Sequence, residues 1–278
     1  MTIIAFTAVL IAASVFAGML GALTGLGGGV ILVPLLVLAF NVDIHHAAGA
    51  SLISVISTSS GAAVPYIRSR LCNLRIGMFL EMATTVGAIL GACLAASLPG
   101  SIIAVVFGVI LLHSAYMSLK GQEKGKVEVK SDPIAKLLKL NGSFPGEHGE
   151  IGYSVHHVPA GFGLMFIAGG LSGLLGIGSG AVKVLAMDQV MGLPFKVSTT
   201  TSTFMIGVTA AASAGVYFKR GYIEPGLAMP VIFGVLVGSR IGAHVFAMTR
   251  TRRLRLIFAI AISLVAAQMI YKGMRGGL

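Results

Sequence analysis

A chain of 278 residues that is 56% hydrophobic and only 10% charged, with a mean hydropathy of +0.94, does not match any ordinary water-soluble domain. It reads as an all-α polytopic membrane protein with about eight hydrophobic segments, since roughly 20 residues cross the hydrocarbon core. Lys and Arg outnumber Asp and Glu 20 to 9, a formal charge of +11, yet the charges lie mainly in loops. There they set orientation and meet anionic headgroups, and no aromatic-interleaved basic patch or nucleic-acid motif accompanies them. The two cysteines, Cys72 and Cys93, form no CxxC or Cys/His cluster, so no disulfide scaffold, zinc site or other cofactor is expected. The first residues lack a basic region and a small-residue cleavage site, so 2–20 reads as a mature span.

Segment one covers Ile3–Leu20, a glycine-dense break, and Val30–Phe40. The break contains Gly21, Gly25, Gly27, Gly28 and Gly29, with Pro34 beyond it. Five glycines and a proline make an uninterrupted helix costly, at roughly 1 kcal/mol per glycine and roughly 3 for proline. The segment is either one long bent helix or two half-helices that re-enter. Segment two, Ala47–Ile67, carries Ser51, Ser54, Ser57, Thr58, Ser59 and Ser60; Arg68, Arg70 and Arg75 mark the loop after it. Segment three is Ile76–Leu98, with Glu81 near its start and Gly87 and Gly91 spaced as GxxxG. Segment four is Ser101–Leu119. Residues 120–157 form a polar, lysine-rich linker, with a short amphipathic helix expected near Pro133–Leu140. Segment five, Val158–Met187, repeats the break as Gly169, Gly170, Gly173, Gly176, Gly178, Ser179 and Gly180. Segment six, Phe195–Phe218, is again hydroxyl-rich, from Ser198 to Thr203 with Thr209 and Ser213. Segments seven (Ile223–Met248) and eight (Leu256–Tyr271) flank a basic cluster, Arg250, Arg252, Arg253 and Arg255.

The chain thus divides into a first transmembrane repeat (1–119), the linker, and a second repeat (158–278). At an offset near 151, Gly25 meets Gly176, Gly27 meets Gly178, Gly29 meets Gly180, Ser51 meets Ser202 and Tyr66 meets Tyr217. A small gap in the following loop is expected before Gly91 meets Gly242. Agreement of glycines, hydroxyls and basic loops at one offset is the signature of an internal repeat. The positive-inside rule places the Arg68–Arg75 loop and the linker in the cytoplasm. Inverted repeats also bring Arg250–Arg255 to that side; eight simple spans would not.

Interrupted segments at matching places in two halves are the sequence pointer to a transport site. Irregular backbone at membrane depth is tolerated only inside the protein or beside a cavity. The candidates to hold an anion are the backbone of Gly25, Gly27, Gly28 and Gly29, the backbone of Gly176, Gly178, Ser179 and Gly180, the hydroxyls of Ser51 and Ser202, and the ammonium of Lys183. The alternative for Lys183 is snorkelling to an interface, and for the hydroxyls close helix packing. Glu81 and Arg240 are ionisable groups within spans, each either half of a structural ion pair or, for Glu81, a coupling proton carrier. The histidines show no ligand spacing, and no metal is assigned. Gly25-x-Gly27-x-x-Val30 lacks the third glycine of a dinucleotide site, and neither glycine run continues into a P-loop. Ser179 between glycines has Ile177 where a serine-protease motif wants glycine, so no enzyme is expected.

Gly21, Gly25, Gly27, Gly28, Gly29, Val33, Pro34 and Leu36 match a pattern close to GxxxGxGGGxxxVPxL. On these residues, continuing through Gly49, Ser51 and Leu52 and into the second half, the chain resembles the TauE/SafE sulfite exporter (TSUP) family of permeases. The second half departs from it, with Ser179 where Gly28 stands and Leu185 where Pro34 stands; with Lys183 these changes would mark a substrate subset. The resemblance implies a multi-pass transporter of the prokaryotic inner membrane for sulfite, thiosulfate, a sulfonate or a related anion. A homodimer is admissible. An anion channel and a non-transporting assembly module are the alternatives.

Overall fold

The computed structural model describes residues 3–24, 27–95, 97–120, 132–146, 149–248 and 251–274. Gly25, Lys124, Lys126, Lys130, Glu147, His148, Arg250 and Arg275 lie outside the described residues. The elements in chain order are α1 (Ile3–Thr24), α2 (Gly29–Ala39), α3 (Ile44–Arg68), α4 (Leu74–Ala95), α5 (Gly100–Lys120), α6 (Pro133–Leu137), β1 (Gly142–Gly146) and β2 (Gly149–Tyr153). They continue as α7 (Val158–Leu175), α8 (Gly180–Leu185) running into a π-helical turn at Ala186–Val190, α9 (Phe195–Lys219), α10 (Pro225–Met248) and α11 (Thr251–Met274). Among the described residues, six helices are long and apolar enough to cross a membrane: α1, α3, α4, α7, α9 and α10. A shorter apolar stretch covers Gly100–His113 of α5.

Each glycine run interrupts the helix completely rather than bending it. Gly27 at φ 77° separates α1 from α2, and Gly176, Gly178 and Ser179 at φ 69°, 75° and 45° separate α7 from α8. Left-handed residues end a helix because its hydrogen-bond ladder cannot continue through them, and glycine adopts that conformation without a Cβ penalty. The chain then reverses. Phe6 and Phe40 stack edge-on at 5.1 Å, so the start of α1 lies beside the end of α2. The 11 residues of α2 rise ~16 Å, about half the hydrocarbon thickness.

Glycine also decides which helices meet. α1 packs on α10, and α7 packs on α4. Gly18 abuts Val235, Gly238 abuts Val15 and Gly242 abuts Met19; Gly169 abuts Thr84, Gly87 abuts Phe166 and Gly91 abuts Gly170. Any Cβ at these six glycines would collide with facing backbone, so the crossings are close-approach contacts of the small-residue kind. Each contact in the first set has its counterpart in the second, with the α1 residue 151 before its α7 equivalent and the α10 residue 151 after its α4 equivalent. The register therefore runs through the loop after Tyr66 without the expected gap. Tyr66 Oη donates to the Ala22 carbonyl at 2.7 Å, and Tyr217 Oη donates to the Gly173 carbonyl at 3.2 Å, again at the same offset.

α3 and α9 cross antiparallel at the centre. Gly49, near the start of α3, lies against Tyr222 just past the end of α9. At the other end, the Thr200 hydroxyl near the start of α9 donates to the Leu71 carbonyl just past α3 at 2.7 Å.

The linker brings one departure from an all-α fold. α6 begins where expected, capped by Asp132, whose two carboxylate oxygens accept from Ile134 N–H and Val158 N–H at 3.1 Å each. It is followed by an antiparallel hairpin pairing Gly142 with Tyr153. Ala135, Leu140 and Val155 are buried in one cluster with Ile76, Leu80 and Met187, and Asn73 Nδ2 donates to the Leu140 carbonyl at 3.1 Å and to Tyr153 Oη at 2.8 Å. This part of the linker thus lies against the α3–α4 loop. Arg70 pairs with Glu150 at 3.8 Å on the same face.

Candidate functional site

The two breaks converge on the middles of α3 and α9. A Cβ at Gly27 would stand 2.8 Å from Ile206 Cδ1 and 3.3 Å from Val55, and one at Gly178 would stand 2.8 Å from Val55 and 3.2 Å from Ile206. Val55 and Ile206 are fully buried, so the two broken backbones close on a single apolar pair. Only glycine supplies both the positive φ and the missing side chain that this approach requires. Gly29 lies against Ser51 and against the Ile177 backbone at 3.5 Å.

Hydroxyls surround this apolar pair. Thr58 Oγ1 accepts from the Gly28 N–H at 3.0 Å and donates to the Ser54 carbonyl at 2.9 Å. Ser202 donates to the Gly180 carbonyl at 3.3 Å. Ser51, Ser54 and Ser179 are all buried, and their hydroxyl oxygens have no hydrogen-bond partner; Ser198 and Thr199, about two turns before Ile206 on α9, are in the same state. An unpaired buried hydroxyl costs roughly 1–3 kcal/mol, and Ser179 adds the strain of a left-handed non-glycine residue. Several such groups around one junction are expensive to keep empty and well suited to donate to an oxyanion.

Beside the junction lies a buried charged cluster drawn from three elements. Lys183 of α8 is fully buried and Glu81 of α4 nearly so. The Lys183 ammonium donates to the Thr209 hydroxyl of α9, and that hydroxyl donates to Glu81 Oε1 at 2.5 Å. Thr85 also donates to Oε1 at 3.2 Å. Lys183 Nζ stands 3.7 Å from Glu81 Oε2. Thr209 is one turn from Ile206, and it stands 151 residues after Thr58, so the cluster borders the junction.

The structure brings together Gly27, Gly28, Gly29, Ser51, Gly178, Ser179, Gly180 and Ser202, with Gly176 packed on Ala48 close by. Lys183 reaches the same region through Thr209 and does not snorkel. Arg240 is elsewhere: it is exposed on α10 and lines a groove with Arg68, Ser69 and His244, away from Glu81. Some amides considered as anion donors are already engaged. Gly27 N–H donates to the Gly21 carbonyl at 3.3 Å, Gly28 N–H to Thr58, and Gly176 N–H to the Ser172 carbonyl at 2.9 Å. Among the described residues, the amides of Gly29, Gly178, Ser179 and Gly180 donate to no such acceptor, so backbone and side chains both remain as donors at the junction. Sequence reasoning named Thr58, Thr209 and Ser54 as members of the hydroxyl-rich segments without singling them out, and it passed over the Val55–Ile206 pair. The first two and the last were visible as pairs at the 151-residue offset.

Comparisons with known proteins identify membrane transporters as relatives of this chain. The chain is 28% identical over 274 residues to the probable membrane transporter protein YunE of Bacillus subtilis, covering 95% of this chain and 97% of that protein. It is 25% identical to the probable membrane transporter protein YdhB of the same organism, over 79% of this chain and 82% of that one. It is 21% identical to a probable membrane transporter protein of Methanocaldococcus jannaschii, over 91% of each. No solved structure matches. The family model for the sulfite exporter TauE/SafE matches residues 10–269, and the chain accordingly belongs to that family of membrane transporters.

Proposed function

We propose that the protein is a secondary transporter of a small anionic sulfur compound, such as sulfite, thiosulfate or an organosulfonate, held at the junction of the two glycine breaks. The observation that carries this reading is the convergence of Gly27 and Gly178 on Val55 and Ile206, ringed by the unpartnered hydroxyls of Ser51, Ser54 and Ser179. An oxyanion entering there would accept from these hydroxyls and from Lys183, while the bare glycine backbones allow it to approach closely. Val55 and Ile206 would close the path through the centre.

Movement by alternating access rests on two inverted repeats, 1–119 and 158–278, joined by the linker. The recurrence of backbone contacts at one offset and the antiparallel crossing of α3 and α9 support an axis lying in the membrane plane. With α1–α2 counted as an entry and return, each half makes an odd number of passes. The described end of the linker, the α3–α4 loop and the facing ends of α10 and α11 then share one cytoplasmic face of a prokaryotic inner membrane, and the α9–α10 loop lies outside.

Transport assays on Lys183→Ala, Ser179→Ala and Ser202→Ala test the site. Each is expected to weaken apparent anion affinity by about tenfold, the worth of one charge-assisted or well-placed hydrogen bond. Unchanged transport by both Lys183→Ala and Ser202→Ala would remove the site.

A further inference from the structure

We propose that Glu81 and Lys183 form an exchange switch in which each anion entering the junction is taken up together with one proton. This rests on the junction being an anion site, and it assigns the coupling. Glu81 Oε1 accepts two hydroxyls, Thr209 at 2.5 Å and Thr85 at 3.2 Å. Its other oxygen, Oε2, is buried and accepts none. Lys183 Nζ stands 3.7 Å from Oε2, beyond the about 2.7–2.9 Å of a closed charge-assisted hydrogen bond. One carboxylate oxygen is therefore satisfied and the other open, and the ammonium rests on a neutral hydroxyl.

The charge count decides what an arriving anion requires. α7 carries no ionisable side chain, and α9 carries Lys196 near its start and Tyr217 and Lys219 near its end. α4 adds Arg75 in its first turn, α5 carries His113 and Lys120, and the π-helical turn carries Asp188, which accepts from Gln189 at 3.1 Å. The buried cluster itself holds one cation and one carboxylate. With Glu81 ionised, an added anion leaves one uncompensated negative charge in a water-poor interior, which breaks the rule that buried charges are paired. A proton restores neutrality. It comes from solvent, bonds to the open Oε2 and makes Glu81 a neutral acid; Lys183 keeps all three of its protons and turns its charge to the anion. Release of the anion reverses both steps. A monoanion thus moves with one proton, without net charge, in whichever direction the gradients favour.

The switch is single. Leu32 stands 151 residues before Lys183, and Ile232 stands 151 after Glu81, so the first break has no such pair and the ratio is one proton per anion.

The test uses purified full-length protein in detergent. Binding of methanesulfonate, whose one charge does not change between pH 5 and 9, and of thiosulfate is measured together with proton uptake in buffers of differing ionisation enthalpy. The wild type is expected to take up one proton per methanesulfonate where Glu81 starts ionised, and its affinity to fall tenfold for each pH unit above that point. Glu81→Gln should take up none and bind with less than a twofold change across the range. Asp188→Asn should behave as wild type. Binding by the wild type without proton uptake would overturn the switch and leave the anion site standing, a result that needs no variant to fold. Uptake that persists in Glu81→Gln or is lost in Asp188→Asn would overturn the assignment to Glu81. Failure of both anions to bind would overturn the anion site and the switch with it.

Discussion

Replacing Lys183 by Met should be far more damaging alone than together with Glu81→Gln. At 3.7 Å, two unit charges attract by about 4.5 kcal/mol at an effective dielectric constant of about 20. Desolvation offsets much of that attraction, so the intact pair adds little net stability. Removing one partner is a different matter, because it strands a charge that the fold has buried, at a cost of about 3–5 kcal/mol. Lys183→Met leaves the Glu81 carboxylate without a countercharge, and Glu81→Gln leaves the ammonium so. The double variant Glu81→Gln/Lys183→Met strands neither and restores a neutral interior. At about 2–4 °C per kcal/mol for a chain of this order of size, each single variant should lower the unfolding midpoint by roughly 10 °C. The double variant should recover most of that loss. Thermal unfolding in detergent, without added anion, gives the double-mutant cycle directly. A double variant as unstable as the two single losses combined would refute the coupling of these residues.

Four further outcomes follow from other contacts. Thr58→Val removes the acceptor of the Gly28 N–H and should cost about 1–3 kcal/mol, read as a lower unfolding midpoint. Gly27→Ala and Gly178→Ala both force a Cβ onto left-handed backbone 2.8 Å from a buried side chain. Each should abolish transport even where protein accumulates in the membrane, as checked by flux normalised to purified protein. In a cysteine-free background, Arg220→Cys should react with an impermeant maleimide in intact cells, and Lys139→Cys only after permeabilisation. Equal access at the two positions would contradict the inverted arrangement. Burial pushes the Cys72 thiol up to about 11, with the Thr201 hydroxyl opposing it. At pH 8 Cys72 should therefore alkylate at least tenfold more slowly than the exposed Cys93, and its rate should climb as pH approaches 11.

Much of this was legible in the sequence, and the reasons are local. Glycine runs advertise themselves because no other residue tolerates the left-handed backbone at Gly27 and Gly178 or the tight crossings at Gly87, Gly91, Gly238 and Gly242. Length and apolarity mark the spans. The 151-residue offset follows from the order of residues alone, and the structure extends it to contacts, as with Tyr66 on Ala22 and Tyr217 on Gly173. What stayed hidden depends on distant parts of the chain. Glu81 and Lys183 lie on different elements and are not equivalent in the two halves, so no periodicity points from one to the other. Arg240, an equally plausible partner for Glu81 by composition, faces outward instead. The hairpin at Gly142–Tyr153 lacks the alternating apolar pattern of a half-buried strand, and it forms where the linker docks on Asn73 and Arg75.

The most direct test of the glycine-break junction as a carrier site is counterflow. Proteoliposomes of the purified protein are loaded with unlabelled sulfite, thiosulfate or methanesulfonate, and entry of the labelled anion is followed. Saturable entry that overshoots equilibrium with one of these anions, and is lost in Gly178→Ala, is the predicted result. Linear flux without overshoot, or no flux through folded protein with any of the three, would contradict it.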